Sequence, residues 1–257
     1  MYEAMMIAAT GLHNQQKRLD TIANNVSNVN TVAFKSVRLD FKDALYTAGI
    51  IPGPPRTPEG NQQKGHGVMI AGTAKDFRMG SFQTTDRPLD VAIEGEGFFE
   101  LRNVNGELLY SRRGAFEISA EEGGSYLVNG EGLYVMDANG ERIRLPDDAE
   151  TIGIGQDGTF TFTFRGEPSD VKLGVYTFRN LMGLLSAGDS NYAESAASGE
   201  KTPAENMVLR QGVTELSNVG LADEMTRMIR AQRAFQLASR ALTTADEMEG
   251  IANNMRR

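Results

Sequence analysis

The side chains that most often do chemistry are nearly absent from this chain. Cysteine does not occur, and histidine occurs twice, as His13 and His66. That removes disulfides, thiolate metal sites and cysteine nucleophiles together, and leaves few imidazole ligands or bases. Three glycine-bearing segments partly match known binding loops, and each lacks something the chemistry needs. Gly95-Glu96-Gly97 lies between two apolar runs, without the third glycine and the helix that would hold a dinucleotide's phosphates. Gly60 to His66 has the glycine spacing of a phosphate loop but no Lys-Ser/Thr pair. Asp137-Ala138-Asn139-Gly140 has too few carboxylates for a calcium loop. Asn25-Val26-Ser27 has the form of a glycosylation triplet, which chance explains. A carboxylate pair for glycoside hydrolysis would have to come from among 34 acidic residues, and no spacing singles one out. No catalytic residue, cofactor or metal is expected.

The elements that frame these residues point to association instead. Met1, Met5, Ala8, Leu12, Leu19, Ile22, Val26 and Val29 recur at steps of three, four and their sums, with Gln15 in the gap. This is a heptad seam on one long helix, on the order of 45 Å if it runs to Val29. Near the other end Leu221, Met225, Met228, Phe235 and Leu242 repeat the pattern, with Gln232 and Ser239 at its polar gaps. A second stripe of small residues and methionine runs from Ala231 through Ala238 and Ala245 to Met255. Asn24, Asn25, Asn28 and Asn30 crowd the end of the first helix, where asparagine tolerates the left-handed conformation and stops helices. Phe34, Val37, Phe41 and Leu45 then allow a short second helix or an extended arm.

Between the ends the pattern changes to period two. Short apolar runs from Val68 to Phe178 are cut by Asn105-Gly106, Asn129-Gly130, Asn139-Gly140 and Asp157-Gly158, dipeptides that favour tight hairpins. The expected fold class is therefore α+β: long N- and C-terminal helices packing as a coiled-coil-like stem, with an antiparallel β-rich middle domain. The expected divisions are 1–47 for the first helix, Asn-rich turn and arm, 48–67 for a connector, 68–180 for the β-domain, 181–215 for a return segment and 216–257 for the second helix. The connector holds four of the eight prolines, Pro52, Pro54, Pro55 and Pro58, and reads either as a surface loop or as a stiff spacer.

Charge sharpens this reading. The net charge of −8 argues against a nucleic-acid partner. It is concentrated in the middle: residues 1–30 balance, residues 216–257 carry five acids and six arginines, and the remainder carries 27 acids and 18 bases. No signal peptide is recognisable at the start and no run approaches a membrane span, so no membrane insertion is expected. An amphipathic membrane-surface helix would want many basic residues, and the first helix offers Lys17 and Arg18.

Three segments resemble the bacterial flagellar basal-body rod and hook proteins. The first is Ala23 to Lys35, an Asn-rich turn followed by Thr31, Ala33, Phe34 and Lys35, where many members have glycine at the position of Ala33. The second is Pro88 to Phe99, PLDVAIEGEGFF, followed by Tyr110-Ser111-Arg112-Arg113-Gly114-Ala115-Phe116. The third runs from Glu215 to Met248, with Ser217, Asn218, Val219, Glu224, Met225, Gln232, Arg233, Ala234, Phe235, Thr244 and Asp246 at the signature positions. In length and middle-domain size the chain is similar to the distal-rod branch, with a close rod paralogue as the alternative. A secreted β-domain glycoside hydrolase is the remote one.

The resemblance implies a structural subunit that assembles with copies of itself into a helical tube, next to other rod proteins and the hook protein. It implies export through the flagellar type III apparatus without a cleaved signal, and a place outside the cytoplasmic membrane, within the envelope ring proteins. The expected subunit interface comprises Met5, Leu12, Leu19, Ile22 and Val26 on the first helix. Asn24, Asn25, Asn28, Asn30 and Phe34 follow in the turn and arm. Ser217, Asn218, Val219, Met225, Met228, Gln232, Phe235 and Leu242 complete it near the C-terminus.

Overall fold

A computed structural model describes residues 2–44, 46–48, 63–65, 67–121, 124–146, 151–164 and 167–255. The proline-rich stretch expected as a connector lies largely outside them. The chain divides into two units. One contains Met1–Ser27, Val37–Lys75 and Gly220–Arg257; the other contains Asn28–Ser36 and Asp76–Val219.

In the first unit, helix α1 (Tyr2–Ser27) packs along helix α2 (Leu221–Asn254). Residues near the end of α1 and near the start of α2 line one cavity, so the helices run in opposite directions. Strand β1 (Val37–Asp43) follows the Asn-rich turn, so the extended alternative for this segment holds and the short helix does not form. Val37 and Leu39 are turned inward while Arg38 and Asp40 are exposed, the alternation of a half-buried strand. Strands β2 (Tyr46–Ala48), β3 (Gln63–Gly65) and β4 (Val68–Lys75) complete this part. β1 pairs with β4 and β2 with β3, both antiparallel. The β1–β4 register slips between Asp40 and Phe41. This ribbon lies against α1. The side-chain amide of Asn14, buried on α1, donates to the Val68 carbonyl.

The described strands of the second unit all pair antiparallel, and one short 3-10 helix, Leu181–Gly183, interrupts them. Strands β5 (Phe82–Thr84) and β6 (Val91–Gly95) pair with Val213–Glu215 and Met207–Gln211, which joins the start of the unit to its end. Strand β7 (Phe98–Arg102) is central to the largest sheet. It pairs with β8 (Leu108–Ser111), with Tyr134–Val135 and with Val175–Phe178. Its alternate residues serve two cores: Phe99 and Leu101 join Val91, Ile93, Phe116 and Phe160, and Phe98 joins Tyr110, Tyr176, Phe178 and Tyr192.

The expected hairpin at Asn105-Gly106 forms between β7 and β8, and that at Asp157-Gly158 joins Thr151–Ile154 to Thr159–Phe164; both glycines have positive φ. After Asn129 the left-handed residue is Gly132 rather than Gly130. The run Val171–Phe178 is two strands, Glu167–Lys172 and Val175–Phe178, separated at Gly174. A Cβ there would stand 2.7 Å from the Asp137 carbonyl oxygen, so the close crossing requires glycine. The return segment also holds strands that its weak periodicity hid: Leu185–Gly188, Asn191–Ala193, Lys201–Pro203 and Met207–Gln211.

Candidate functional site: a buried charge junction and two helix faces

Within the second unit, three stretches far apart in sequence meet around one carboxylate. Glu215 is buried, and its Oε1 accepts hydrogen bonds from Lys35 Nζ at 2.7 Å and from the Gly80 N–H at 2.9 Å. Its Oε2 accepts from Arg112 Nε at 2.9 Å. Lys35 also donates to the Arg78 carbonyl at 2.8 Å. The rest of the Arg112 guanidinium donates to the carbonyls of Ile93, Gly95 and Gly97 at 3.0–3.3 Å. The glycine pair that fails as a nucleotide loop therefore wraps a buried arginine. A Cβ at Gly95 would lie 2.5 Å from the Asn206 carbonyl oxygen, which explains the glycine.

The cluster carries two cations and one anion, with side-chain exposures of 0% for Lys35, 1% for Glu215 and 4% for Arg112. Burial alone would raise the Glu215 pKa, but the Arg112 and Lys35 charges and the hydrogen bonds to its carboxylate outweigh burial and hold it below the usual range. Burial pushes the Lys35 ammonium down; Glu215 opposes that shift and Arg112 adds to it.

Backbone contacts tighten the same crossing. The Ala33 N–H donates to the Glu215 carbonyl at 2.8 Å, and Ala33 adopts a left-handed φ of 57°. The position that resembles a family glycine is thus one where glycine would be unstrained. The Asn218 side chain accepts from the Ser36 N–H and donates to the carbonyls of Asp76 and Arg78, tying three stretches together. Gly80 lets the chain pass Leu216, whose carbonyl oxygen would lie 2.0 Å from a Cβ.

In the first unit Asn25 uses its amide the same way. It donates to the Val37 carbonyl at 2.8 Å and accepts from the Val37 N–H at 2.9 Å, pairing as a strand residue would. Asn25 therefore docks β1 rather than merely stopping α1. Asn28 holds the following turn through its carbonyl and side chain, both contacting Thr31. Asn24 and Asn30 are exposed and Phe34 is half-buried.

The helix seam of α2 is displaced from the expected stripe. Buried or half-buried positions run Glu224, Met228, Ala231, Phe235, Ala238, Leu242, Ala245, Glu249, alternating steps of four and three. Met228, Phe235 and Leu242 belong to it; Gln232 is exposed, and Met225 is 51% exposed. On α1 Ile22 is buried and Met5, Leu12, Leu19 and Val26 are half-buried. Ser217 and Val219 are buried and Asn218 is half-buried. Lys35, Arg112 and Glu215 stood inside the three recognisable segments, but nothing in their spacing announced a common site. Lys35 and Glu215 each stood as the one charge between immediate apolar or small neighbours, whereas Arg112, beside Arg113, carried no such signal.

Among the described residues no group of three acids or histidines is placed to hold a metal, and no helix is long and apolar enough to cross a membrane. The buried charge cluster ties chain crossings together, as an element of a structural subunit does. Family comparisons agree. Residues 5–35 match the flagella basal body rod protein family, 92–162 the flagellar hook protein FlgE/F/G D1 domain, and 210–255 the flagellar basal body rod FlgEFG protein C-terminal region. The chain is 39% identical to the flagellar basal-body rod protein FlgG of Borreliella burgdorferi over the whole of both chains. It is 35% identical to that of Bacillus subtilis and 32% identical to the hook-basal body complex protein FlhP of the same organism, again over the whole of both. The chain belongs to the flagellar basal-body rod protein family, as a structural subunit of the basal body.

Proposed function

We propose that this chain is a distal-rod subunit that polymerises into a helical tube, carrying torque to the hook and bounding the export channel. Its neighbours would be further copies, other rod proteins and the hook protein; envelope rings would surround it, and the type III apparatus would deliver it. The observation that carries this reading is the apolar surface left on α2 beside its packed seam. Leu221, Met225, Ile229, Leu237, Met248 and Ile251 are between 41% and 65% exposed. So many exposed apolar side chains, spread over the outward half of one helix, call for covering partners. Met5, Leu12, Leu19, Val26 and the half-buried Phe235 and Leu242 supply a coiled-coil-like stem whose remaining faces copies would share. A head-to-tail contact that does not close yields a tube.

The test is negative-stain electron microscopy of the concentrated protein together with sedimentation. Tubes that sediment at high concentration and dissolve on dilution support the reading. A protein that stays monomeric at every concentration and salt condition sinks it.

A further inference from the structure

The second unit contains the same three residues in a row at three turns: Asn105-Gly106-Glu107, Asn129-Gly130-Glu131 and Asn139-Gly140-Glu141. An asparagine before glycine can react with its own chain. Glycine has no side chain to shield its amide nitrogen, so that nitrogen can reach the asparagine Cγ and close a five-membered ring. The ring closes only where the side-chain amide is free to swing and the backbone is free to turn. The local sequence is the same at all three sites, so any difference between them comes from the fold.

Two of the three are held. Asn129 is 2% exposed, and its Oδ1 accepts from the Glu131 and Leu133 N–H groups at 3.0 and 2.9 Å. Asn139 is exposed but tied to Asp137, whose carboxylate accepts its backbone N–H at 2.9 Å and its side-chain amide at 3.1 Å. The Asp137 charge, sitting in the same turn, also disfavours loss of the Gly140 amide proton. Asn105 is different. It lies at the tip of the β7–β8 hairpin, where Val104, Gly106 and Glu107 are exposed with it. Its side chain makes no hydrogen bond among the described residues. Two bonds close the turn, from the Gly106 N–H to the Asn103 carbonyl and from the Asn103 N–H to the Glu107 carbonyl, each at 2.9 Å. At an exposed hairpin tip such bonds open at little cost.

We propose that Asn105 is a site of spontaneous deamidation, selected by the fold from three identical triplets. The Gly106 nitrogen gives its proton to hydroxide and attacks Cγ of Asn105. The new N–Cγ bond forms as the Cγ–Nδ2 bond breaks, and Nδ2 takes a proton from water and leaves as ammonia. Water then opens the ring at either carbonyl, leaving aspartate or isoaspartate, with nothing oxidised or reduced. Both products add a negative charge to the turn. Isoaspartate also adds a carbon to the main chain just outside the Leu101–Leu109 pair, whose Leu101 is fully buried, so it loosens the hairpin. The site stands apart from the polymerisation reading and does not depend on it.

The test ages the full chain in warm, mildly alkaline buffer, folded and in urea, and maps the three asparagines by mass spectrometry. Isoaspartate is read with an isoaspartyl carboxyl methyltransferase and labelled S-adenosylmethionine. In the folded chain Asn105 converts at a rate that rises about tenfold per pH unit, as the deprotonated fraction of an amide does far below its pKa. Asn129 and Asn139 convert about tenfold more slowly or less, because each must first give up the two hydrogen bonds that fix it. In urea the three rates converge. Asn105→Gln, which would need a six-membered ring, accepts no methyl groups, and the fall in melting temperature seen on ageing the wild type is absent from it. An Asn105 that stays intact in the folded chain overturns the proposal. So does an Asn129 or Asn139 that converts as fast, or an equal loss of melting temperature in Asn105→Gln.

Discussion

At the residue scale the junction makes a sharp energetic statement. Glu215 neutralises one of two buried cations, so removing its charge leaves both uncompensated. Glu215→Gln should destabilise the second unit by about 3–5 kcal/mol, the cost of breaking a buried pair by removing one partner. Urea denaturation checks it. The pH dependence follows from the directions of the shifts. Glu215 titrates below its ordinary 4.5 in the folded chain, so its contribution is complete above that value and is lost as pH falls below it. Lys35 is shifted the other way for a cation: its cost is complete at neutral pH and is relieved as pH rises toward 10.5. Denaturation between about pH 3 and 6 should show a stability slope in the wild type that Glu215→Gln flattens. An unchanged slope would mean that the acid limb belongs to other carboxylates. Ala33 provides the opposite test. Its φ of 57° costs roughly 1 kcal/mol relative to glycine, so Ala33→Gly should raise stability by up to that amount, less the extra chain entropy glycine brings to the unfolded state. A loss of stability would show that the left-handed turn is not strained.

At the element scale, what was legible in the sequence was periodicity, and what was not was which phase of a period faces the protein. The α2 heptad was plain, but two stripes competed, one through Met225 and Gln232 and one of alanines. The packed seam takes Met228, Phe235 and Leu242 from the first and Ala231, Ala238 and Ala245 from the second. Residue type favoured the larger apolar side chains, whereas packing against α1 used small ones as well. The same limit hid β1, whose apolar residues also fit helical spacing, and hid strands in the return segment, whose pairing partners lie far off in sequence, as Gln211 pairs with Val91. Long-range pairing leaves little trace in a local pattern. The displaced seam separates two substitutions that looked equivalent. Phe235→Asp puts a charge into the α1–α2 contact and should unfold the helical unit, costing several kcal/mol. Met225→Asp lies on an exposed position and should change subunit stability by less than about 0.5 kcal/mol while blocking polymer growth. Circular dichroism at 222 nm and sedimentation distinguish the two. Identical behaviour of both variants would mean that the seam is misplaced.

At the scale of the whole molecule, the chain passes between its two units at 27/28, 36/37, 75/76 and 219/220, so neither unit is continuous in sequence. The resemblance of three separated segments to one family becomes physical here. Lys35 comes from the first segment, Arg112 from the second and Glu215 from the third, and the junction closes only when all three are present. Asn28–Ser36 is a short piece of the second unit that sequence order assigns to the N-terminal arm. It brings the Lys35 ammonium, the Ala33 N–H to the Glu215 carbonyl, the Phe34 carbonyl to the Asn218 N–H and the Ser36 N–H to the Asn218 side chain. A fragment of residues 76–219 should therefore fold with the Glu215–Arg112 pair but lack this strap. A synthetic peptide of residues 28–36 should bind it and raise its melting temperature in a concentration-dependent way, by the linkage expected of a ligand that binds only the folded form. The same peptide with Lys35→Met should lose most of that effect, because it lacks the ammonium that pairs with Glu215. If the fragment melts like the intact chain and neither peptide shifts it, the second unit is complete without the arm. The junction would then be a passive crossing rather than the point at which the chain's beginning and end are locked to its middle.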